Sequence, residues 1–412
     1  FKVFYLMINF SHFSTIQIML YLIHLNSLME YILKNRVLTP GPVAVPEFVM
    51  LEMAKPLIHH RTSEFEEIFN NATQDLKELF QTKEEVLILA SSGTGAMEAA
   101  VSNSFSKNDK VIVVNGGKFG ERWLKICQAF QLNVIELAVE WGESVDANKI
   151  KEILAKNDDV KGVLVQASET STGVEHPIKE IAKITKKMGN TILVVDGITG
   201  VGVFPIAFDD WGIDILIGGS QKAFMLPPGL AFISLSKKAW EFTKNANLPN
   251  FYFDLGAALK NSLKHTSPWT PAVTLIIGLG AVLKHFKSIG FNQVYERCSI
   301  MSQATREGFK AIGLESFAKK HPSPALSVIC SPSNIDAGLI IKKLKDNYGI
   351  IVAGGQDQAK GKILRITHMG DVDKSDMIAL ISAVENILDE NGIKFKKGAG
   401  TSTAANILHN MK

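Results

Sequence analysis

Two residues at the ends of neighbouring apolar runs could carry chemistry in this chain. Asp196 closes the run Ile192-Leu193-Val194-Val195, and Lys222 follows the run at 213–217 after Gly218-Gly219-Ser220-Gln221. Short apolar runs bounded by turn residues read as buried parallel strands. Ligands of open α/β sheets sit at the carboxyl ends of the strands, so the carboxylate and the amine should face one crevice. Such a pair can be a structural ion pair. It can also serve a cofactor whose aldehyde needs a lysine and whose ring nitrogen needs an anion.

Pyridoxal phosphate has both needs. An anion beside its ring nitrogen favours the protonated ring, and each unit of pKa shift is worth about 1.4 kcal/mol. The protonated ring is the electron sink for the carbanion left when an amino acid loses its α-proton. The phosphate needs a cradle, and the sequence offers one at Ser91-Ser92-Gly93-Thr94-Gly95, where an apolar run at 86–89 passes into a helical pattern. Small residues let the backbone approach, and the first N–H groups of a helix are unpaired at a positive dipole end. No Gly-Lys-Ser/Thr follows, so this is not a Walker loop. By itself the turn could be a plain helix entry.

In this order, the glycine-rich turn, Val195-Asp196-Gly197, Gly219-Ser220-Gln221-Lys222-Ala223 and Pro227-Pro228-Gly229 resemble the class V pyridoxal-phosphate-dependent aminotransferases. The branch is that of serine–pyruvate, alanine–glyoxylate and archaeal or bacterial aspartate-type enzymes, and the likeness runs over about residues 38–388. It implies the fold type I architecture: an α/β large domain with a mostly parallel seven-stranded sheet between helices, plus a small α/β C-terminal domain. It also implies roles. Lys222 would hold the cofactor as an internal aldimine, with Asp196 on the ring nitrogen. Ser92, Gly93 and Thr94 would form the phosphate cup, with Gln221 reaching the phosphate as well. Phe119 would stack on the ring, and Thr170 would donate to its 3′-oxygen. Thr266 or Thr270, in Thr266-Ser267-Pro268-Trp269-Thr270-Pro271, would cross to the neighbour's phosphate in a homodimer.

Arg365 is read first from its context. It sits mid-strand in Lys362-Ile363-Leu364-Arg365-Ile366-Thr367. A buried guanidinium needs an anion, and its planar fork suits a carboxylate. A structural ion pair would satisfy it; the resemblance makes it the grip on the substrate α-carboxylate. The activity implied is transfer of an amino group from a small L-amino acid, alanine or serine, to a 2-oxo acid, glyoxylate or pyruvate. Aspartate is the alternative donor, and a non-enzymatic subunit of a soluble hydrogenase-type complex is an alternative role. Cysteine desulfuration needs a mobile cysteine, whereas Cys330 closes what reads as a buried strand.

Elements must place these residues. The chain has 412 residues, a net charge of +3 with mixed signs, and three widely spaced cysteines. That excludes nucleic acid binding on charge and argues against a zinc or disulfide framework, so no metal is expected and a reducing cytoplasm fits. The adjacent His59 and His60 point different ways on any regular element and make a weak metal site. Apolar runs alternate with amphipathic stretches such as residues 63–82 and 178–188, which predicts a parallel sheet covered on both faces.

The division expected is an arm and large domain over 29–265 and an interdomain helix with a small domain over 266–395. Residues 396–412 should form a flexible tail. In the small domain, strands are expected at 326–330, 350–353 and 363–367, with helices at 336–348 and 374–391. Residues 1–28 are apolar but interrupted by Asn9, Ser11, His12, Gln17 and His24. They are read as a leader or a mis-assigned start ahead of Met29 rather than a membrane span.

Overall fold

The computed structural model describes residues 33–409 and 411, so the leader expected over 1–28 lies outside the described residues. Seven strands form the central sheet: β1 Val86–Leu89, β2 Lys110–Asn115, β3 Asn133–Ala138, β4 Val160–Gln166, β5 Ile192–Asp196, β6 Ile215–Gly219 and β7 Ala231–Leu235. Their order is β1-β7-β6-β5-β4-β2-β3. All run parallel except β7, which is antiparallel to both its neighbours. This is the mostly parallel seven-stranded sheet expected.

Alternation along each strand divides the core into two. Ile112, Val114, Leu193 and Val195 face one cluster, which includes Phe65, Phe69 and Phe80 of helix α1 (Ser63–Phe80). Val111, Val113, Ile192 and Val194 face the other, which includes Trp123 and Phe105. Successive strand side chains point to opposite faces, so a strand covered on both sides must be apolar throughout. The strand order reverses between β4 and β2, where a ligand crevice opens at the carboxyl ends. Helix α2 (Gly93–Ser104) leaves that end after β1, and helix α3 (Lys118–Ala129) leaves it after β2.

Beyond the sheet run helices α4 (Val273–Ile289) and α5 (Phe291–Ala311), which meet at 87°. Gly290 makes this corner with φ +86°, a backbone region where most side chains are strained. Among the described residues no single helix is long and apolar enough to cross a membrane. Although the sequence grouped α4 with the C-terminal unit, its Ile276, Leu279, Val282 and Phe286 are buried in the core beside α1 and the large sheet. Its apolar residues lie on nearly every face, as in a helix enclosed by its neighbours.

The C-terminal unit has an antiparallel sheet of β8 Leu326–Cys330, β9 Ala353–Gly354 and β10 Ile363–Thr367, in the order β8-β10-β9. Helices α6 (Ala337–Tyr348) and α7 (Lys374–Glu390) share its core with the later part of α5.

Two expectations need correction. The run at 350–353 is not one strand. Ile350 and Ile351 pair in parallel with Arg36 and Val37, while Ala353 and Gly354 pair with β10. A distant segment competes for half of the run. The tail expected over 396–412 forms helix α8 (Ala399–Leu408), with Ala404 and Leu408 buried against the C-terminal core. Glu385 holds it by accepting from the Gly400 N–H at 2.8 Å and the Thr401 hydroxyl at 2.9 Å. Its small residues, read as polar tail composition, let it lie close to α5, where Gly308 meets Gly400.

Candidate active site

Lys222 follows β6 and is only 7% exposed. Its ammonium donates to the Pro40 carbonyl at 2.5 Å. The strap at 38–44 lies across it so closely that a Cβ on Gly41 would stand 2.7 Å from Lys222 Cε. The strap is fixed at both ends. Leu38 N–H donates to Ile351 O and Thr367 N–H to Leu38 O, while Val43 N–H donates to Gln221 O. Arg36 Nε pairs with Asp376 at 3.0 Å. The chain over the lysine is therefore held by the C-terminal unit on one side and by the lysine's own loop on the other. Burial lowers the Lys222 pKa to about 8; Asp196 opposes this, and Arg365 and Arg122 add to it.

Asp196 ends β5, buried at 4% exposure, and accepts from the Ile198 N–H at 2.9 Å. Burial raises its pKa to about 6, and the negative charge of Glu169 pushes the same way. The Ile198 N–H, Arg122 and Lys222 pull it down. Among the described residues no salt bridge joins Asp196 to Lys222, so the ion-pair reading is not what the geometry shows. Two opposite charges are buried in one region and each is bonded elsewhere.

Ser92 is the residue before α2, and its side chain does not cap the helix. Among the described hydrogen bonds the N–H groups of Gly93 and Thr94 have no acceptor, and the first turn carries no acidic residue. Gly93 is packed against Ile198 in the loop after Asp196, and a Cβ there would meet its side chain. Arg122 Nη1 donates to Thr94 Oγ1 at 3.1 Å, and its guanidinium lies 4.8 Å from the centre of the Phe119 ring. Lys222 Nζ is 5.9 Å from the same ring. Phe119 thus lies near both Lys222 and the arginine that bonds Thr94. Gln221 beside Lys222 has a buried amide oxygen without a partner.

Glu169 organises this side of the crevice, a role for which the sequence carries no local signal. It is fully buried on the turn after β4. Its carboxylate accepts from Phe119 N–H at 3.1 Å, Gly120 N–H at 3.0 Å, Ser171 N–H at 3.1 Å, Ser171 Oγ at 2.6 Å and Gln166 Nε2 at 2.8 Å. Lys118 N–H adds a bond to Ser171 Oγ at 3.0 Å. The orphan donors that open α3 are therefore satisfied by another loop, with an anion at the positive end of the helix. Gly117 permits the approach, since a Cβ there would stand 2.7 Å from Glu169 Cγ.

Thr170, the next residue, is buried, and its hydroxyl lies 3.1 Å from that of Thr199, a second group the sequence did not single out. The Thr170 carbonyl accepts from Arg365 Nη1 at 3.3 Å, and the Gly354 carbonyl accepts from Arg365 Nε at 2.8 Å. Among the described residues no carboxylate forms a salt bridge with Arg365. Burial pulls its pKa below the ordinary guanidinium range, and Glu169 partly opposes this. Thr266 and Thr270 are not joined to this cluster by any hydrogen bond among the described residues. Thr266 N–H donates to Asn261 O, and Thr270 is exposed beside Trp269. Cys330 lies in β8 with its thiol pKa raised by burial, which suits a packed side chain rather than a mobile nucleophile.

Comparison with known proteins agrees with this architecture. The sequence profile of the family described as Aminotransferase class-V matches residues 46–380. The chain is 41% identical to the soluble hydrogenase small subunit of a Synechococcus strain, over 91% of this chain and 98% of that one. It is 33% identical to the serine–glyoxylate aminotransferase of Methylorubrum extorquens, over 91% of this chain and 96% of that one. Among solved structures it is similar to an aspartate aminotransferase of subgroup IV from Thermus thermophilus. There the TM-score is 0.81 and the identity 31%, covering 86% of this chain and 99% of that one.

Proposed function

The chain belongs to the class V aminotransferases, and from that premise we propose that it moves an amino group from L-alanine or L-serine to glyoxylate or pyruvate. It is a transaminase, and its cofactor is pyridoxal phosphate. The residues present fit that cofactor. Lys222 and Asp196 are buried without pairing, and the N–H groups of Gly93 and Thr94 have no acceptor among the described bonds. Lys222 would hold its aldehyde carbon and Asp196 its ring nitrogen. Ser92, Gly93, Thr94 and Gln221 would hold its phosphate, Phe119 would lie on its ring, and Thr170 would donate to its 3′-oxygen. When bound, it supplies an electron sink that makes the α-proton of an amino acid acidic.

The chain's own residues do the rest. Arg365 binds the α-carboxylate through the guanidinium donors left free by Gly354 and Thr170. Its two carbonyl partners orient that fork before substrate arrives. The Lys222 amine, its pKa lowered by burial to about 8, is far easier to deprotonate than a free lysine and so can take the α-proton and return it. The Pro40–Gly41 strap excludes water above it.

The likeness to the serine–glyoxylate aminotransferase of Methylorubrum extorquens supports the donor class. Arg365 keeps guanidinium donors for a carboxylate beyond its bonds to Gly354 and Thr170. Arg122 is turned to Thr94 and Phe119, and Lys118 is paired with Glu121 and Asp357. The likeness to the Thermus enzyme keeps aspartate as the second reading. The likeness to a hydrogenase subunit does not displace the catalytic reading, because the lysine, aspartate and arginine set is complete here.

A homodimer is part of the proposal. Phe251, Tyr252, Leu263 and Trp269 are exposed on one stretch, with Tyr252 and Trp269 stacked at 6.2 Å. Such a patch supports a subunit contact, and Thr266 and Thr270 beside it would reach the neighbouring phosphate. The test is titration of the purified protein with L-alanine, L-serine and L-aspartate while its visible absorbance is followed. Loss of the cofactor's visible band with alanine or serine supports the assignment. Loss with aspartate alone refutes it in favour of the second reading.

A further inference from the structure

Lys118 opens α3, one residue before the ring platform Phe119. Its ammonium pairs with Asp357 at 2.6 Å and, more tightly, with Glu121. Asp357 belongs to the loop after β9, three residues beyond Gly354, whose carbonyl holds Arg365. The pair therefore bridges the gap between the helix that carries Phe119 and the loop that orients the carboxylate-binding arginine. These segments are more than 200 residues apart in sequence and meet at the site. Asp357 takes φ +44°, a left-handed conformation that aspartate adopts more readily than most side chains. Gly355 lets this turn close, since a Cβ there would stand 2.5 Å from the Ala359 carbonyl carbon.

The charges around Lys118 close on themselves. Lys118 and Lys125 face Glu121 and Asp357, two cations against two anions. Without Asp357, the cluster would carry one uncompensated positive charge at the start of the helix that bears Phe119. A substrate that brings a second carboxylate must displace Asp357 from Lys118 and approach two like charges. A substrate with a methyl or hydroxymethyl side chain meets no such cost. The pair is partly open to water, with Lys118 25% and Asp357 58% exposed. Its strength is that of a screened surface bridge, so it biases the choice of donor without sealing the site.

We propose that Asp357, by occupying Lys118 at the mouth of the site, is the residue that sets this enzyme against amino donors bearing a second carboxylate. The proposal rests on the donor class assigned above and names the residues that impose it. The test uses the holoenzyme, Asp357→Asn, Lys118→Met and the double variant. One measurement is kcat/KM for L-alanine and for L-aspartate with the same oxo acid acceptor. The other is the dissociation constant of α-methyl-L-aspartate against that of 2-aminoisobutyrate, from the visible absorbance. Neither compound has an α-proton, so this second measurement reads binding alone.

Asp357→Asn is expected to raise the aspartate-to-alanine ratio about fivefold, the scale of one partly exposed charge pair. The binding ratio should shift the same way, and Lys118→Met in the double variant should cancel both gains. A ratio unchanged in Asp357→Asn, or a gain that persists in the double variant, overturns the role of Asp357. If the wild type already prefers aspartate, the donor assignment itself fails, which is distinguishable because it is read before any substitution is made.

Discussion

Replacing Lys222 by methionine should make the cofactor-free protein more stable, and the gain should fade as pH rises. The buried lysine titrates near 8 instead of 10.5, chiefly because burial penalises its charge. A shift of that size is about 3 kcal/mol of penalty on the charged form in the fold. In the unfolded chain the lysine holds its proton up to its ordinary pKa. Between about 8 and 10.5 the unfolded state therefore binds more protons than the native one, and wild-type stability climbs with pH across that window. Below about 8 the penalty is fully present; above 10.5 it is gone.

Methionine has a similar length and no charge, so it removes the penalty. It also removes the bond to Pro40 and leaves that carbonyl unpaired, a loss of about 1 kcal/mol, and it strips Asp196 of a favourable charge. The net gain expected near pH 7 is about 1–2 kcal/mol, a rise of a few degrees in Tm for a chain of this size. The assay is thermal unfolding of apo-protein, wild type against Lys222→Met, at about pH 7 and about pH 10. The gain should shrink at the higher pH. A variant no more stable than wild type near neutral pH, or equally stabilised at both, would falsify the claim that this amine is held against its charge by burial.

Three further outcomes follow from the same geometry. Asp196→Asn should also stabilise the apo-protein, but on the opposite side of the scale. Its carboxyl titrates near 6 instead of 3.8, so the native state binds the extra proton between those values and wild-type stability falls as pH rises through them. The gain from asparagine should be largest above about 6 and absent below 3.8, as urea midpoints at two pH values would reveal. Glu169→Gln should cost about 2–3 kcal/mol, because a neutral amide leaves part of a five-donor set unmet, and cofactor affinity measured by dialysis should drop as Phe119 loses its anchor. Arg365→Lys should raise KM for the amino donor about 30-fold, roughly 2 kcal/mol, with cofactor affinity intact; weakened cofactor binding instead would place Arg365 elsewhere than at the carboxylate.

Much of the fold was legible because its signals are local. Short apolar runs end on Asp196 and before Lys222, and the rule that strand carboxyl ends hold ligands puts both residues at one end of the sheet. Glu169 escaped because its partners are backbone N–H groups about 50 residues away, and a carboxylate that caps a distant helix leaves no spacing in the sequence. Thr199 and the Pro40 carbonyl escaped for the same reason, the latter lying 182 residues from the amine it receives. The split of the run at 350–353 depends on a parallel partner at 36–37, and non-local pairing is invisible to periodicity. Helix α8 was mistaken for a tail because small residues are equally at home in a loop and in a close helix contact.

The relation between Asp196 and Lys222 decides between the two readings with which the sequence began. Were they a structural ion pair, each would be drawn toward its charged form, with the carboxyl pKa falling and the amine pKa rising. Both move the other way, to about 6 and about 8, because burial outweighs their attraction. Each spends its bond on the backbone, Asp196 on Ile198 N–H and Lys222 on Pro40 O. A fold built only for stability would fill such a place with apolar side chains, since well-packed hydrophobic replacements of buried charges are often neutral or stabilising. Keeping the two groups apart makes sense if something binds between them that needs an anion at one end and an amine at the other. The strap is held to that arrangement from both sides, by Val43 on Gln221 and by Leu38 on β10. A change in the position of the C-terminal unit must therefore reach Lys222 through Pro40 and Gly41, so the unit that carries Arg365 also positions the Lys222 amine.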